Sequence, residues 1–372
     1  MRHATLPEQL PSRRPRLASA SFAPQLRWRS LMARRRPMRR DTQGTWIVAG
    51  YREVAEVLRH PGLGKRSAHD GALAMGESAD FRSLVAGSPL AADGKRHESL
   101  RREMALRGTR LAEAEAAART LADRVVAAVD GPTVDAVADL AQPLALGTVE
   151  GITGCPAGGS ADAFHDATVL ARMFESTADD ADTPAFEAAA ARMRTRTRAA
   201  RRHRPEVAAG LFTTGLETAT SLSSAGVGFA AADPDLWAWL RAADGVGRRA
   251  YIEEVARLVS PVQFAPYSAL EPVTVAGHDL VPGEELIVLV HAANCDPTVF
   301  DDPELLRPGR DGRHLAFGLG AHACIGGALA TTQARALLDA ALTRWSSISV
   351  LQAAWRGPAM VGGLAFAALR LP

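Results

Sequence analysis

Cysteine is scarce in this 372-residue sequence, and the three present, Cys155, Cys295 and Cys324, are irregularly spaced. That excludes a disulfide framework or a four-ligand zinc site and fits a reducing compartment. Long apolar runs are also missing. The best one, around Leu286 to Val290, is strand-sized and far short of the roughly 18 residues that span a bilayer. The first residues lack the apolar segment of a secretory signal. A soluble cytoplasmic protein is expected, without a membrane partner. Lysine is nearly absent too, since Lys65 and Lys95 are the only two and arginine carries almost all the positive charge. The net charge of only +2 argues against a general nucleic-acid binder. Aromatic residues make up 5% of the chain, yet 47% is apolar, enough for one large core or two smaller ones.

Residues 1 to about 44 are rich in arginine and proline, with Arg34, Arg35, Arg36, Arg39 and Arg40 crowded together. This stretch reads as a solvated, partly ordered arm, the alternative being an anion- or partner-binding patch. A single domain over residues 45–372 is expected to follow. Trp46 to Ala49 predicts a short strand, and Tyr51 to Arg59 a helix with Val54, Val57 and Leu58 on one face. Between His60 and Asp93 glycine, serine and proline recur without a period, which predicts loops with at most one short helix. A helix beginning near Lys95 puts His97 and Arg101 four residues apart on one face, where they could clamp an anion or simply be solvated. Alanine-rich helical patterns follow at Arg110 to Val129, Asp139 to Ile152, Ala161 to Phe174, Pro184 to Arg202 and Glu206 to Ala232. Asp233-Pro234 predicts a helix start. In the helical run after it, Glu254 and Arg257 are spaced to pair on one face. Short strands are predicted from Val273 to Ala276, near Leu280 and from Glu285 to Val290.

The most informative stretch is His314 to Gly327, HLAFGLGAHACIGG. Glycines on both sides of Cys324 let the backbone turn sharply and approach a flat ligand closely. The helical run from Ala328 to Trp345 begins just after the cysteine, so its sulfur would lie at a helix N-terminus, where free N–H groups favour a thiolate. Taken alone, the cysteine could equally be a small core residue. The pattern Phe317-x-x-Gly320-x-His322-x-Cys324-x-Gly326 resembles the heme-binding loop of the cytochrome P450 family.

That resemblance implies a mainly α fold with a small β-rich region, and a heme-thiolate catalytic domain over residues 45–372. It implies heme b, iron protoporphyrin IX, with Cys324 as the metal ligand. His97, Arg101 and His322 would meet the propionates, and Phe317, Gly318 and Gly326 would form the loop against the heme. Thr214-Gly215-Leu216-Glu217-Thr218 resembles the family's small-Gly-x-acid-Thr motif, implying that Glu217 and Thr218 pass protons during dioxygen activation. A plain amphipathic helix carrying the same residues is the other reading. Gly215 costs about 1 kcal/mol against alanine within a helix, so a glycine there points to a close approach by something else. Glu254 and Arg257 match the family's structural Glu-x-x-Arg.

Several positions depart from the family pattern. Tyr267 stands where most bacterial members place an arginine for a propionate, leaving its hydroxyl as a weaker partner. Cys295 replaces a common arginine and reads as structural. Thr214 replaces a small alanine. Thr331 and Gln333 replace an arginine and a glutamate, implying a changed surface for the electron donor. The interval between the arginine-rich helix ending near His203 and the central helix is almost absent. The function implied is a monooxygenase that uses dioxygen, with electrons from a ferredoxin and its reductase, to oxidise a small apolar molecule in natural-product biosynthesis. Two alternatives stay open at this level: oxidative coupling, cyclisation or rearrangement without net oxygen insertion, and a non-catalytic heme-binding recruitment module.

Overall fold

The computed structural model describes residues 22–74, 76–105, 109–155, 160–174, 180–356 and 359–372. Helices carry most of the fold. In chain order they are α1 (Phe22–Arg35), α2 (Tyr51–Arg59), α3 (Arg66–Ala74), α4 (Ala79–Gly87), α5 (Gly94–Met104), α6 (Thr109–Ala127) and α7 (Gln142–Thr153). Then come α8 (Ser160–Ala171), α9 (Thr183–Thr197), α10 (Pro205–Ala231), α11 (Pro234–Ala242), α12 (Gly245–Val259), the short α13 (Val290–Ala293) and α14 (Gly327–Arg344).

The 27-residue α10 is the axis of the molecule and is buried along most of its length. Pro205 starts it where a missing N–H costs nothing. Its small residues let α7, α8 and α14 pack closely against it. At Gly215 a Cβ would lie 3.3 Å from Val149 Cγ2 of α7. The close approach that the glycine implied is therefore that of a neighbouring helix. Strand β1 (Met38–Arg40), β2 (Trp46–Val48), β3 (Leu63–Gly64), β4 (Thr133–Asp135), β5 (Ala265–Ala269), β6 (Val273–Val275), β7 (His278–Leu280), β8 (Glu285–Val288), β9 (Ser349–Trp355) and β10 (Leu364–Arg370) form the β-rich side. They make a five-stranded sheet ordered β1-β2-β8-β5-β3, a three-stranded sheet β4-β10-β9 and the hairpin β6-β7. Among the described residues only β2 and β8 pair in parallel there, Ile47 facing Ile287.

The mainly α architecture, the strand at Trp46 and helix α2 with its buried Val54, Val57 and Leu58 agree with the sequence reading. Two stretches differ. Residues 60–93 hold α3 and α4 rather than one short helix at most. The Ser78 side chain accepts from Phe81 N–H and caps α4, while Phe81, Leu84 and Val85 are buried, so capping and burial outweigh the irregular spacing. From Phe22 onward the stretch read as an arm is built into the fold. Helix α1 sends Arg29 into the core, donating to the Leu258 carbonyl at 3.1 Å and to Gln263 Oε1 at 2.7 Å. Strand β1 forms the sheet edge. Residues 1–21 of the arm lie outside the described residues. The short interval before the central helix is borne out, with only residues 198–204 joining α9 to α10.

Glu254 and Arg257 form the expected buried pair, with N–O distances of 2.8 Å at both guanidinium contacts. Arg310 Nε also donates to Glu254 Oε1 at 2.9 Å, and the Arg307 N–H donates to the same oxygen at 2.9 Å. Arg257 adds bonds to the carbonyls of Asn294 and Pro303 at 2.7 and 2.9 Å. Removing the carboxylate would strand two buried guanidinium groups. We expect Glu254→Ala to destabilise the protein by about 3–5 kcal/mol, read from the urea unfolding midpoint; a change under about 1 kcal/mol would show that this network is not structural.

Candidate active site

The loop that carries Cys324 is closed on itself, since the Cys324 N–H donates to the Phe317 carbonyl at 2.7 Å. Two of its glycines are required by the backbone. Gly318 and Gly320 have φ of +65° and +66°, and a Cβ at Gly320 would run into the Leu58 carbonyl oxygen of α2. Gly326 differs. As the N-cap of α14 it has φ −94°, and a Cβ there would meet nothing within 4 Å. The chain itself does not require glycine at that position.

Cys324 lies at the start of α14, as the sequence implied. Its side chain is solvent-accessible and borders a cavity within the fold. Burial pushes the thiol pKa up, against the N–H groups of Gly326 and Gly327 and the nearby Arg101. The helix terminus alone therefore does not produce a thiolate here; a bound metal would, because coordination displaces the proton. Cys155 and Cys295 are buried.

The cavity lies between this loop and α10. Thr213, Thr214, Thr218 and Leu222 form one wall, and Met360 and Val361 close another side. The Thr218 hydroxyl donates to the Thr214 carbonyl at 2.8 Å, and that of Thr214 to the Gly210 carbonyl at 2.8 Å. Each oxygen keeps its acceptor capacity towards the cavity. Glu217 is turned elsewhere. It is buried and accepts from Thr168 Oγ1 of α8 at 2.8 Å and from Arg356 Nη1, just past β9, at 2.6 Å. It is absent from the cavity lining.

At the other end of the cavity a polar cluster gathers from four parts of the chain. Helix α5 supplies His97 and Arg101, β5 supplies Tyr267, the cysteine loop supplies His322, and the residue after β3 is Lys65. The His97 and His322 rings lie 4.2 Å apart, and Tyr267 meets His322 edge-on at 6.1 Å. Arg101 Nη1 donates to the Ala323 carbonyl at 2.7 Å. His97 Nε2 is buried with no hydrogen-bond partner among the described residues. Burial lowers its pKa to about 4, with His322 and Arg101 acting in the same direction. Burial likewise lowers that of His322, against its 3.3 Å contact with Asp93 Oδ1. For Asp93 burial acts to raise the pKa, but the bonds from His322 and from the Lys65 N–H hold it below its ordinary value. Tyr267 is pushed up by burial.

The sequence reading missed Lys65, Asp93, Thr168 and Arg356. Lys65 had a signal, being one of two lysines in the chain; a lone arginine such as Arg356 had none. Gln333 is buried in α14, 2% exposed, and does not supply the altered donor surface that its substitution implied, whereas Thr331, 8% exposed, borders the groove behind Cys324.

Residues 249–350 match the family model described as Cytochrome P450. That match covers less than half of the chain. Cytochrome P450 140 of Mycobacterium tuberculosis is 38% identical over 130 residues, which cover 34% of this chain and 29% of that protein. The biotin biosynthesis cytochrome P450 of Bacillus subtilis is 34% identical over 106 residues, 28% of this chain and 27% of the relative. The matched stretches thus span less than a third of these curated relatives. In fold the agreement is wider: P450BioI, solved in complex with an acyl carrier protein ligated to hexadec-9Z-enoic acid, superposes with a TM-score of 0.83 at 20% identity, covering 95% of this chain and all of that one.

A heme fits the residues present. The cavity brings a cysteine sulfur, a buried imidazole whose Nε2 has no hydrogen-bond partner among the described residues and a group of cationic side chains to one space, and Gly326 leaves room where no described chain atom needs it. If this cluster takes the propionates, losing a charged partner should matter most, because charge-assisted hydrogen bonds are about twice as strong as neutral ones. We expect Arg101→Ala to retain much less heme through gel filtration than Tyr267→Phe, measured as Soret absorbance per protein. Retention by Arg101→Ala equal to the parent would sink the assignment.

Proposed function

We propose that this protein is a cytochrome P450, a heme-thiolate monooxygenase that activates dioxygen and oxidises a small apolar molecule, in natural-product biosynthesis. The observation that carries the reading is Cys324 at the start of α14 and Thr218 on α10 lining one cavity. The relatives named for biosynthetic roles support the setting. Leu90, Leu211, Leu222, Val262 and Met360 in the lining support an apolar substrate, which burial in such a site favours.

In this reading Cys324 binds the iron, and His97, Arg101, His322 and Tyr267 orient heme b through its carboxylates. Phe317, Gly318 and Gly326 shape the loop beside it. Heme held by a thiolate supplies dioxygen activation, the sulfur favouring O–O cleavage throughout the family. The chain's own contribution is to exclude water and place protons. Thr218 Oγ1 offers a hydroxyl at the cavity wall. Glu217, one residue away, holds a proton route behind that wall, and it must exchange its Arg356 contact before it can pass a proton inward. Electrons would come from a ferredoxin and its reductase. The groove behind Cys324, lined by Arg119, Arg249, Arg313 and Arg335 along with Glu115 and Glu253, fits an acidic donor. Among the described residues no helix is long and apolar enough to cross a membrane.

A second reading, oxidative coupling, cyclisation or rearrangement without net oxygen insertion, is favoured by one observation: Glu217 is tied to Thr168 and Arg356 away from the cavity. Labelled dioxygen separates the two, because only the first places label in the product.

Reduced protein under carbon monoxide should give the thiolate-type difference band. Cys324→Ala should lose it, and Cys155→Ala and Cys295→Ala should keep it. A folded parent without that band removes the heme-thiolate reading. For the proton route, Thr218→Ala should keep heme and substrate binding but divert electrons to hydrogen peroxide. Product and peroxide per reduced nicotinamide are the measurements, and unchanged coupling would make Thr218 an ordinary helix residue and favour the second reading.

A further inference from the structure

Lys65 is the residue of the cavity whose position the chain itself explains least. It is 5% exposed, and its ammonium has one hydrogen-bond acceptor among the described residues, the Pro266 carbonyl at 2.7 Å. Its remaining neighbour on that side is the face of Tyr267, 3.4 Å from Nζ to the ring centroid. Among the described residues no carboxylate bonds to Nζ. Asp93, the nearest one, is engaged by His322 Nε2 and by the backbone N–H of Lys65 itself, at 3.3 and 2.7 Å. Arg101 adds a second cation to the same cavity, and the buried His97 Nε2 has no hydrogen-bond partner among the described residues. A buried ammonium without a counter-charge costs several kcal/mol, so folded proteins pair such groups or leave them neutral. Two cationic side chains and an unsatisfied imidazole facing one cavity, with a single carboxylate already occupied, form a site for an anion.

We propose that Lys65 binds a heme propionate, acting with His97 and Arg101. This rests on the heme reading above, and it assigns a residue that neither the cysteine loop nor the His97–Arg101 pair implies. The position of Tyr267 fits. Its ring supplies a cation–π face that holds the ammonium in place, so the β5 residue contributes by positioning Lys65 as well as through its own hydroxyl. Burial lowers the Lys65 pKa to about 7, with Asp93 opposing, and a carboxylate facing the ammonium would restore its charge.

Hemin is the probe. The full-length parent, Lys65→Gln and Lys65→Arg are loaded with hemin or with hemin dimethyl ester, whose carboxylates are blocked, and the rate of transfer to excess apomyoglobin is recorded. Lys65→Gln should release hemin roughly tenfold faster than the parent, and Lys65→Arg within about twofold of it. The dimethyl ester should leave parent and Lys65→Gln at equal rates. If Lys65→Gln does not fold, Lys65→Met serves in the same comparison. Its apoprotein should unfold at no lower denaturant concentration than the parent, because a buried charge has been removed. Hemin release from the neutral variant at the parent rate overturns the proposal, as does equal acceleration for hemin and its ester, or a less stable apoprotein, each of which marks Lys65 as packing. A parent that takes up no hemin removes the heme reading instead.

Discussion

One buried carboxylate fixes the relation between the helical body and the loop that presents the sulfur. Glu254 on α12 binds Arg257 on its own helix and reaches Arg310 and the Arg307 backbone in the chain segment that runs into His314. Both charges of the central pair are almost fully removed from water. A loop rich in glycine has no stiffness of its own, so the rigidity of Cys324 has to be imported from such contacts. The Leu315 N–H bond to Asn294 Oδ1 at 2.7 Å and the closure of Cys324 onto Phe317 transmit it. Interior ion pairs are often neutral for stability when compared with well-packed apolar groups. Here the directional hydrogen bonds set position, which an apolar replacement would not.

The same economy of place governs the long central helix. It serves as the packing axis for α7, α8 and α14, and it also forms a cavity wall. These two demands fall on different faces. Thr214 and Thr218, four residues apart, face the cavity, whereas Gly215 meets α7 and Glu217 meets α8 and the chain after β9. Adjacent residues of a helix point about 100° apart, and here Glu217 takes the direction away from the cavity that Thr218 faces.

How much of this was legible in the sequence depends on the range of the interaction concerned. Helix α2 and the cysteine loop were readable because their signals are local: a period of apolar residues in one, glycines around a cysteine in the other. The Glu254–Arg257 pair was readable for the same reason. Helices α3 and α4 were missed because their sequences are short and interrupted, and what holds them is the burial of Phe81 and its neighbours by distant segments. The first strand and helix escaped because an arginine-rich composition looks solvated, although Arg29 spends its charge on a carbonyl far away in sequence. The direction of Glu217 depends on Arg356, 139 residues further on, and no spacing rule reaches that far. Lys65 meets Tyr267 across a similar gap.

The segment that leads into β10 also sets a schedule. Strand β10 is sandwiched between β4 and β9, and the segment just before it bonds back to the start of β5's approach, Gln263 N–H to the Met360 carbonyl at 2.8 Å and Gly362 N–H to the Pro261 carbonyl at 2.9 Å. Met360 and Val361 in that segment are cavity walls. During synthesis the cysteine loop and all the helices can leave the ribosome before these residues do. Met360 and Val361 therefore join the cavity wall after the loop and central helix that carry its other sides have been made.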